Sequence, residues 1–592
     1  MRIVPVTAAL LIATQLHAQQ AADAVQPEPA TQGAFAALSE DVAAAFKAKA
    51  ARTPVEASDW MVAAANPLAV QAGADVLAAG GTAADALVAV QAVLGLVEPQ
   101  SSGLGGGAFL VYYDAGSGEL TTLDGRETAP LAATPRLFQD ENGEPLGFFD
   151  AVVGGLSVGT PGTPALMQAA HERWGRMDWA GLLQPAADLA EAGFGVSPRL
   201  SALVASDADR LSRFPATAAY FLPGGTPLAV GQTLRNPEYA QTLQAMATGG
   251  AAVLYTGEIA ADIVSTVRSA EGNPGVLSET DLSIYEVKER APVCASYRAH
   301  DVCGMGPPSS GGLTVGQILG MLEGFDLSAG PGDADVRRLI GDASRLAFAD
   351  RGRYMADSDY VPVPVQGLID PAYLSDRAGA LSGDKALESA APGTPAFDHA
   401  LIWADDASIE LPSTSHFVIV DAEGSVASVT TTIENGFGSR LMVRGFLLNN
   451  ELTDFSFRSH SEGVPVANRV EPAKRPRSSM APTIVMKDGA PVLAIGSPGG
   501  SRIIGYVAES IIAHLDWGMN VQEAVSVPHA VNRFGTYDLE EGSAAAALEQ
   551  DLTQMGYEVN IRALTSGLHA ISLGETLQGG ADPRREGIAL GQ

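Results

Sequence analysis

The stretch ELPSTSHFVIVDAEGSVASVTTTIENGFGSR, Glu410 to Arg440, constrains this chain more than any other. Two apolar runs, Phe417 to Val420 and Val426 to Ile433, flank a polar turn and predict a β-hairpin that opens on Ser-Thr-Ser-His and closes on three threonines. Threonine favours strands, so the plain reading is decoration of a hairpin end. The other reading makes one threonine a nucleophile. With Asp421 to Gly424 as a four-residue loop, Val420 faces Ser425 and Thr414 lies opposite Thr431, next to Thr432. A one-residue slip exchanges the threonine that Thr414 meets.

A mid-chain threonine hydroxyl is a poor nucleophile without a base beside it. One solution is to make it a chain terminus. Its hydroxyl attacks the preceding carbonyl, here that of Ser413, the peptide shifts to an ester, and water releases an α-amino group. That amine titrates near ~7.7 and can serve as the base. Such a cut between Ser413 and Thr414 would leave a large piece, residues 59–413 after its leader, and a small piece of 592 − 413 = 179 residues, 414–592.

Helical and strand blocks alternate along the chain as blocks, which predicts a layered α+β protein more than a regular βαβ array. The 46% apolar content allows a sizeable core. A formal charge of −32 would repel phosphate backbones and anionic lipid heads, so nucleic acid and membrane surfaces are not expected partners. Residues 1–18 read as a secretory signal peptide, and 19–58 as a flexible leader holding one short helix within LSEDVAAAFKAKAAR. No later run reaches the roughly 18 uninterrupted apolar residues of a membrane helix. The expected location is periplasmic or secreted. Export permits disulfides, and Cys294 and Cys303 lie in a second predicted hairpin turning near Arg298 and Ala299. Either a cross-strand disulfide or two free buried thiols would satisfy that placement.

Dinucleotide-loop context and zinc-site spacing are missing. The glycine cluster GLGGGAF, Gly103 to Phe109, follows a helical segment instead of a strand, so it reads as a tight turn feeding a buried strand and not as a dinucleotide loop. The nine histidines include no His-x-x-x-His pair.

Eleven separated segments, in order, are GGTAADA, SSGLGGGAF, LDGRETAP, VGTPGTPALM, PPSSGG, STSHFVIVDAEG, TTTIENGFGS, LLNNELTDF, KRPRSSMAPTIV, GSPGGSRII and ADPRREG. Together they resemble the gamma-glutamyltransferase (gamma-glutamyltranspeptidase) family of N-terminal nucleophile hydrolases, from about Ala65 to Pro583. The resemblance implies a four-layer αββα sandwich and a precursor whose two pieces remain one domain as a heterodimer. Thr414 resembles the nucleophile freed by self-cleavage, Thr432 the hydroxyl that positions it, and Gly499 with Gly500 the oxyanion hole. Arg126, Ser478 and Ser479 look like the holders of the donor's α-carboxylate. Glu451 and Asp454 look like the acceptors of its ammonium. Glu434 stands where many members carry Asn, which would make that end more acidic.

No metal or organic cofactor is implied. The expected substrates are γ-glutamyl amides such as glutathione, with water, an amino acid or a peptide as acceptor. Relatives with the same fold include cephalosporin (glutaryl) acylases and polyglutamate-processing enzymes, which offer a second reading. An uncleaved protein that only binds γ-glutamyl compounds is a third.

Overall fold

The computed structural model of the chain describes Phe35 and residues 38–592, apart from 400, 401, 407, 409 and 412. The signal peptide predicted over 1–18 therefore lies outside the described residues.

Two seven-stranded antiparallel sheets face each other. The first runs Ile588–Gly591, Met61–Ala64, Ser415–Val420, Val426–Thr432, Gly107–Asp114, Glu119–Gly125, Lys288–Arg290. The second runs Val55–Ala57, Leu577–Ala581, His569–Leu573, Ala490–Gly496, Thr483–Lys487, His300–Gly304, Val293–Tyr297. Side chains alternate between faces along a strand. Thus Val418 and Val420 point between the sheets, onto Ile484, Ala494 and Ile571, while Phe417 and Ile419 pack outward against helices. Helices Pro67–Ala78 and Ala83–Val97 cover the first sheet; Gly311–Leu322, Ala334–Tyr354 and Ile503–Leu515 cover the second. This is the expected αββα sandwich, and each sheet takes strands from both sides of the Ser413–Thr414 bond.

Helix Ala83–Val97 is buried along its whole length. A helix apolar all round needs neighbours on every side, and the sheet beneath and helices above supply them. Thr82 and Asp85 close its N-terminus as a capping box, and Asp421 Oδ2 from the hairpin turn accepts from Ala83 N at 2.9 Å. The turn between strands Ser415–Val420 and Val426–Thr432 is thus tied to the central helix.

The hairpin register differs from the expectation by one residue. Ser415 pairs with Thr431 and Val420 with Val426, which sets Thr414 opposite Thr432. The reason is the turn: Asp421 N bonds Ser425 O at 3.1 Å, so Asp421 and Ser425 still belong to the ladder. Three residues, ending on Gly424 at φ 87°, then make the loop, with Asp421 N–H and carboxylate both spent on closing it.

Two further expectations meet the structure here. The stretch from Glu40 to Ala57 is packed chain and not a flexible leader. Helix Glu40–Ala50 buries Val42, Ala45 and Phe46, Lys49 Nζ donates to Arg585 O at 2.8 Å, and Val55–Ala57 forms an edge strand. The second hairpin turns at Arg298 and Ala299, both at positive φ, and pairs Cys294 with Cys303 across the strands as a disulfide.

Candidate active site

The two central strands of the facing sheets deliver their ends to one place. Thr414 precedes strand Ser415–Val420, and Gly499 and Gly500 follow strand Ala490–Gly496. Between them lies a cleft of about 260 Å³ lined by Arg126, Glu410, Thr414, Thr432, Glu434, Glu451, Asp454, Ser478, Ser479 and Gly500, among others. Nine of the ten residues expected from the sequence to hold substrate or to act on it line this cleft: Arg126, Thr414, Thr432, Glu434, Glu451, Asp454, Ser478, Ser479 and Gly500. The tenth, Gly499, is the chain neighbour of Gly500.

Both threonine hydroxyls meet the carbonyl oxygen of Ser413. Thr414 Oγ1 donates to it at short range, and Thr432 Oγ1 donates at 3.2 Å, the two hydroxyls lying 3.5 Å apart. Thr432 Oγ1 in turn accepts from Glu434 N at 2.8 Å. Its position depends on the glycine cluster. A Cβ on Gly106 would fall 1.9 Å from Thr432 O, so only glycine lets that loop lie against the threonine backbone, and Gly107 pairs with Thr432 in the sheet.

Gly499, at φ 139°, and Gly500, at φ 58°, turn the chain into helix Ile503–Leu515. The turn presents backbone N–H groups at a helix N-terminus, where the peptide dipoles favour negative charge. A Cβ on Gly500 would sit 2.9 Å from Glu410 O and Leu411 C, so the chain just before Thr414 passes directly over it.

Arg126 follows strand Glu119–Gly125 and is buried. Its guanidinium pairs with Glu451 on one side and, at 2.5 Å, with Asp454 on the other, and it also donates to Pro476 O and Arg477 O. In the uncut chain the arginine fork therefore grips the two acids expected to bind ammonium. Glu434, held at φ 74°, accepts from Asn450 Nδ2 and keeps Oε1 without a partner, as do Glu451 Oε2 and Asp454 Oδ1. Burial raises the Glu434 carboxyl well above the usual range, with the Asp454 charge adding to it. Burial likewise raises Glu451 and Asp454, against the pull of Arg126, and lifts neighbouring Glu127 to about 8. The cleft holds more buried acid than its one arginine neutralises, and an ammonium would complete it.

The serines are engaged differently from each other. Ser478 Oγ accepts from Met480 N at 3.1 Å, a local turn. Ser479 Oγ donates to Glu410 Oε2 and accepts from Arg351 Nη2 at 2.7 Å. PPSSGG braces this strand entry, with Ser309 Oγ donating to Met480 O and Ser310 Oγ to Ser478 O at 2.7 Å. Glu410, Arg351, Arg477 and Glu127 escaped the sequence reading. Glu410 stood inside the very stretch that drew attention, but nothing in its spacing shows that it folds onto arginines from a distant helix and a distant loop.

The model of the gamma-glutamyltranspeptidase family matches residues 69–592. The chain belongs to the gamma-glutamyltranspeptidase family. It is 38% identical over 552 residues to the glutathione hydrolase proenzyme of Bacillus subtilis (strain 168), covering 90% of this chain and 91% of that one. It is 35% identical to the acylase ACY 1 proenzyme of Pseudomonas sp. (strain SE83), covering 91% of this chain and 94% of the relative. Among solved structures, a cephalosporin acylase from Bacillus halodurans superposes with a TM-score of 0.81 at 26% identity, over 91% of this chain and 97% of that chain. Gamma-glutamyltranspeptidase membership and the sandwich thus agree. Among the described residues no helix is long and apolar enough to cross a membrane.

Proposed function

We propose that this gamma-glutamyltranspeptidase-family chain is a self-cleaving γ-glutamyltransferase and glutathione hydrolase. The observation that carries the reading is the convergence of the Thr414 and Thr432 hydroxyls on the Ser413 carbonyl, in a cleft whose far wall is acidic. In maturation Thr414 Oγ attacks the Ser413 carbonyl carbon while Thr432 donates to its oxygen. The C–N bond breaks, an ester forms, and water hydrolyses it to a Ser413 carboxylate and a free Thr414 amine. The precursor yields a large piece ending at Ser413 and a small piece beginning at Thr414, which stay associated.

In turnover the Thr414 amine takes the hydroxyl proton as the oxygen attacks the γ-carbonyl of the donor. The backbone N–H groups of Gly499 and Gly500 receive the developing oxyanion. The donor's amine leaves with a proton, giving a γ-glutamyl ester on Thr414. Water then releases glutamate, or an amino acid or peptide amine takes the γ-glutamyl group. Glu434, Glu451 and Asp454 receive the donor's α-ammonium, and Arg126 holds Glu451 and Asp454 in place. The acidic wall favours γ-glutamyl over glutaryl amides, because a glutaryl group brings no ammonium to it. The expected site of action is the periplasm or the medium.

The test is the intact mass of the purified protein, together with amine release from a γ-glutamyl anilide with and without glycylglycine. Two chains with a new N-terminus at Thr414 and acceptor-stimulated release are expected. A single inert chain would reduce the family membership to fold alone, and equal turnover of a glutaryl anilide would remove the role given to the acidic wall.

A further inference from the structure

Lys49 carries a buried ammonium that the chemistry above does not use. It stands in the last turn of helix Glu40–Ala50, 536 residues from Arg585 along the chain, and is 8% exposed. Its Nζ donates to Arg585 O at 2.8 Å, Gly587 O at 2.6 Å and Asp582 O at 3.5 Å, so the three donors of one ammonium close on a single loop. Burial lowers it to about 8, against the pull of Asp582 and Glu586. Val42, Ala45 and Phe46 already dock the helix by apolar burial, and a methionine at position 49 would cover the same surface without the cost of burying a charge. The ammonium serves the loop.

That loop, Asp582 to Gly587, aims one side chain. The Asp582 carboxylate accepts from Ser566 Oγ, from Leu568 N at 3.1 Å and from Arg584 N at 2.9 Å, and the Asp582 carbonyl accepts from Arg585 N at 3.3 Å. Gly587 is wedged between His569 and Ala64, where a Cβ would fall 2.2 Å from His569 Nε2 and 2.6 Å from Ala64 O. The stem of Arg585 runs past Gly567, whose Cβ would lie 2.9 Å from Arg585 Cδ and 2.6 Å from Pro498 Cγ, next to the turn of Gly499 and Gly500. Arg585 Nη1 then donates to Thr414 O at 3.3 Å. This is the carbonyl of the nucleophile residue itself. The hairpin ladder begins at Ser415, so the peptide plane that carries Thr414 O lies beyond strand pairing. Cutting the Ser413–Thr414 bond removes the tether on the other side, and the direction of the amine and hydroxyl then rests on that plane.

Resting on the function proposed above, we propose that Lys49 is a positioning residue for turnover: it fixes the Asp582–Gly587 loop, which sets Arg585 on the Thr414 carbonyl and so orients the freed amine and hydroxyl. A helix near the start of the chain thereby becomes part of the support of the active site. Hydrogen bonds from a guanidinium are among the strong ones, and a reacting group misplaced by ~1 Å can lose about 10²-fold in rate. The groups given to the donor's ammonium, Glu434, Glu451 and Asp454, stand on other elements, so kcat should fall while KM holds.

Kinetics on γ-glutamyl anilide, with rates taken per mole of cleaved small piece, test this in the full-length protein. Lys49→Met should lower kcat roughly tenfold or more with KM within about twofold, and Arg585→Met should do the same. The double variant should be no slower than the slower single one, since both act through one hydrogen bond. Wild-type kcat in either single variant, or losses that multiply, would overturn the proposal. Val42→Ala loosens the same helix without touching the ammonium and should keep its kcat; an equal loss of kcat there, at an equal loss of denaturation midpoint, would reduce Lys49 to helix docking and overturn it too. Where Lys49→Met fails to fold, Arg585→Met and Val42→Ala decide by the same outcomes. Hydrogen exchange gives a readout free of turnover: Lys49→Met should speed exchange in peptides covering 566–587 and 414–420, and unchanged exchange would overturn the tie. Wild-type protein that releases no amine sinks the parent reading instead, while the exchange comparison still reports on Lys49.

Discussion

At the residue scale, Thr414 and Gly500 separate chemistry from support. Thr414→Ala should leave one uncut chain of full mass and no amine release, since both attacks use its oxygen. Gly500→Ala adds a methyl 2.9 Å from the Glu410 and Leu411 backbone at a φ of 58°, so cleavage slows and kcat drops roughly 10²–10³-fold, as for loss of an oxyanion donor. The acids make a second prediction. Glu434, Glu451 and Asp454 titrate above the ordinary carboxylate range in the empty cleft, and an ammonium among them pulls those values down. Donor binding near neutral pH should therefore release protons, seen as a calorimetric enthalpy that changes with the ionisation enthalpy of the buffer. Glu410 works in the opposite sense. Its folded value of about 2 lies below its ordinary 4.5, so its contribution is complete above pH 4.5 and disappears as pH falls toward 2. Urea unfolding of the Thr414→Ala precursor at pH 5 and pH 3 should show a larger loss than the same chain carrying Glu410→Gln.

At the scale of elements, the hairpin was legible because its two apolar runs and polar turn are local signals. Its register was not, because one residue more or less in the turn depends on Asp421 bonding Ser425 and capping Ala83, and the second of these is a contact far away in sequence. The glycine cluster was read correctly as a turn feeding a strand, but its purpose is tertiary. Gly106→Ala would set a methyl against Thr432 O, and overpacking of that kind costs about 1–3 kcal/mol or more, with slowed cleavage as the readout alongside chemical denaturation. The Cys294–Cys303 disulfide closes a short hairpin at a sheet edge, with a sequence separation of 9. The loop-entropy relation gives roughly 2–3 kcal/mol for such a closure, so Cys294→Ser with Cys303→Ser should lower the denaturation midpoint by that equivalent without loss of turnover.

At the scale of the whole molecule, both sheets interleave strands from before and after the Ser413–Thr414 bond, and helix Ala83–Val97 is capped across it. The two pieces should elute as one species from a sizing column and separate only in denaturant; free small piece under native conditions would contradict this. The amino-acid sequence alone determined a layered α+β class from its block patterning and, through the family resemblance that its short motifs carry, the αββα sandwich, because such signals are local and read in order. Only the tertiary structure decided which threonine faces Thr414, that Arg126 is spent on Glu451 and Asp454, and that Glu410 sits on two buried arginines. Those facts join residues that are far apart along the chain. Their energies come from burial and shared charge, which no local pattern encodes.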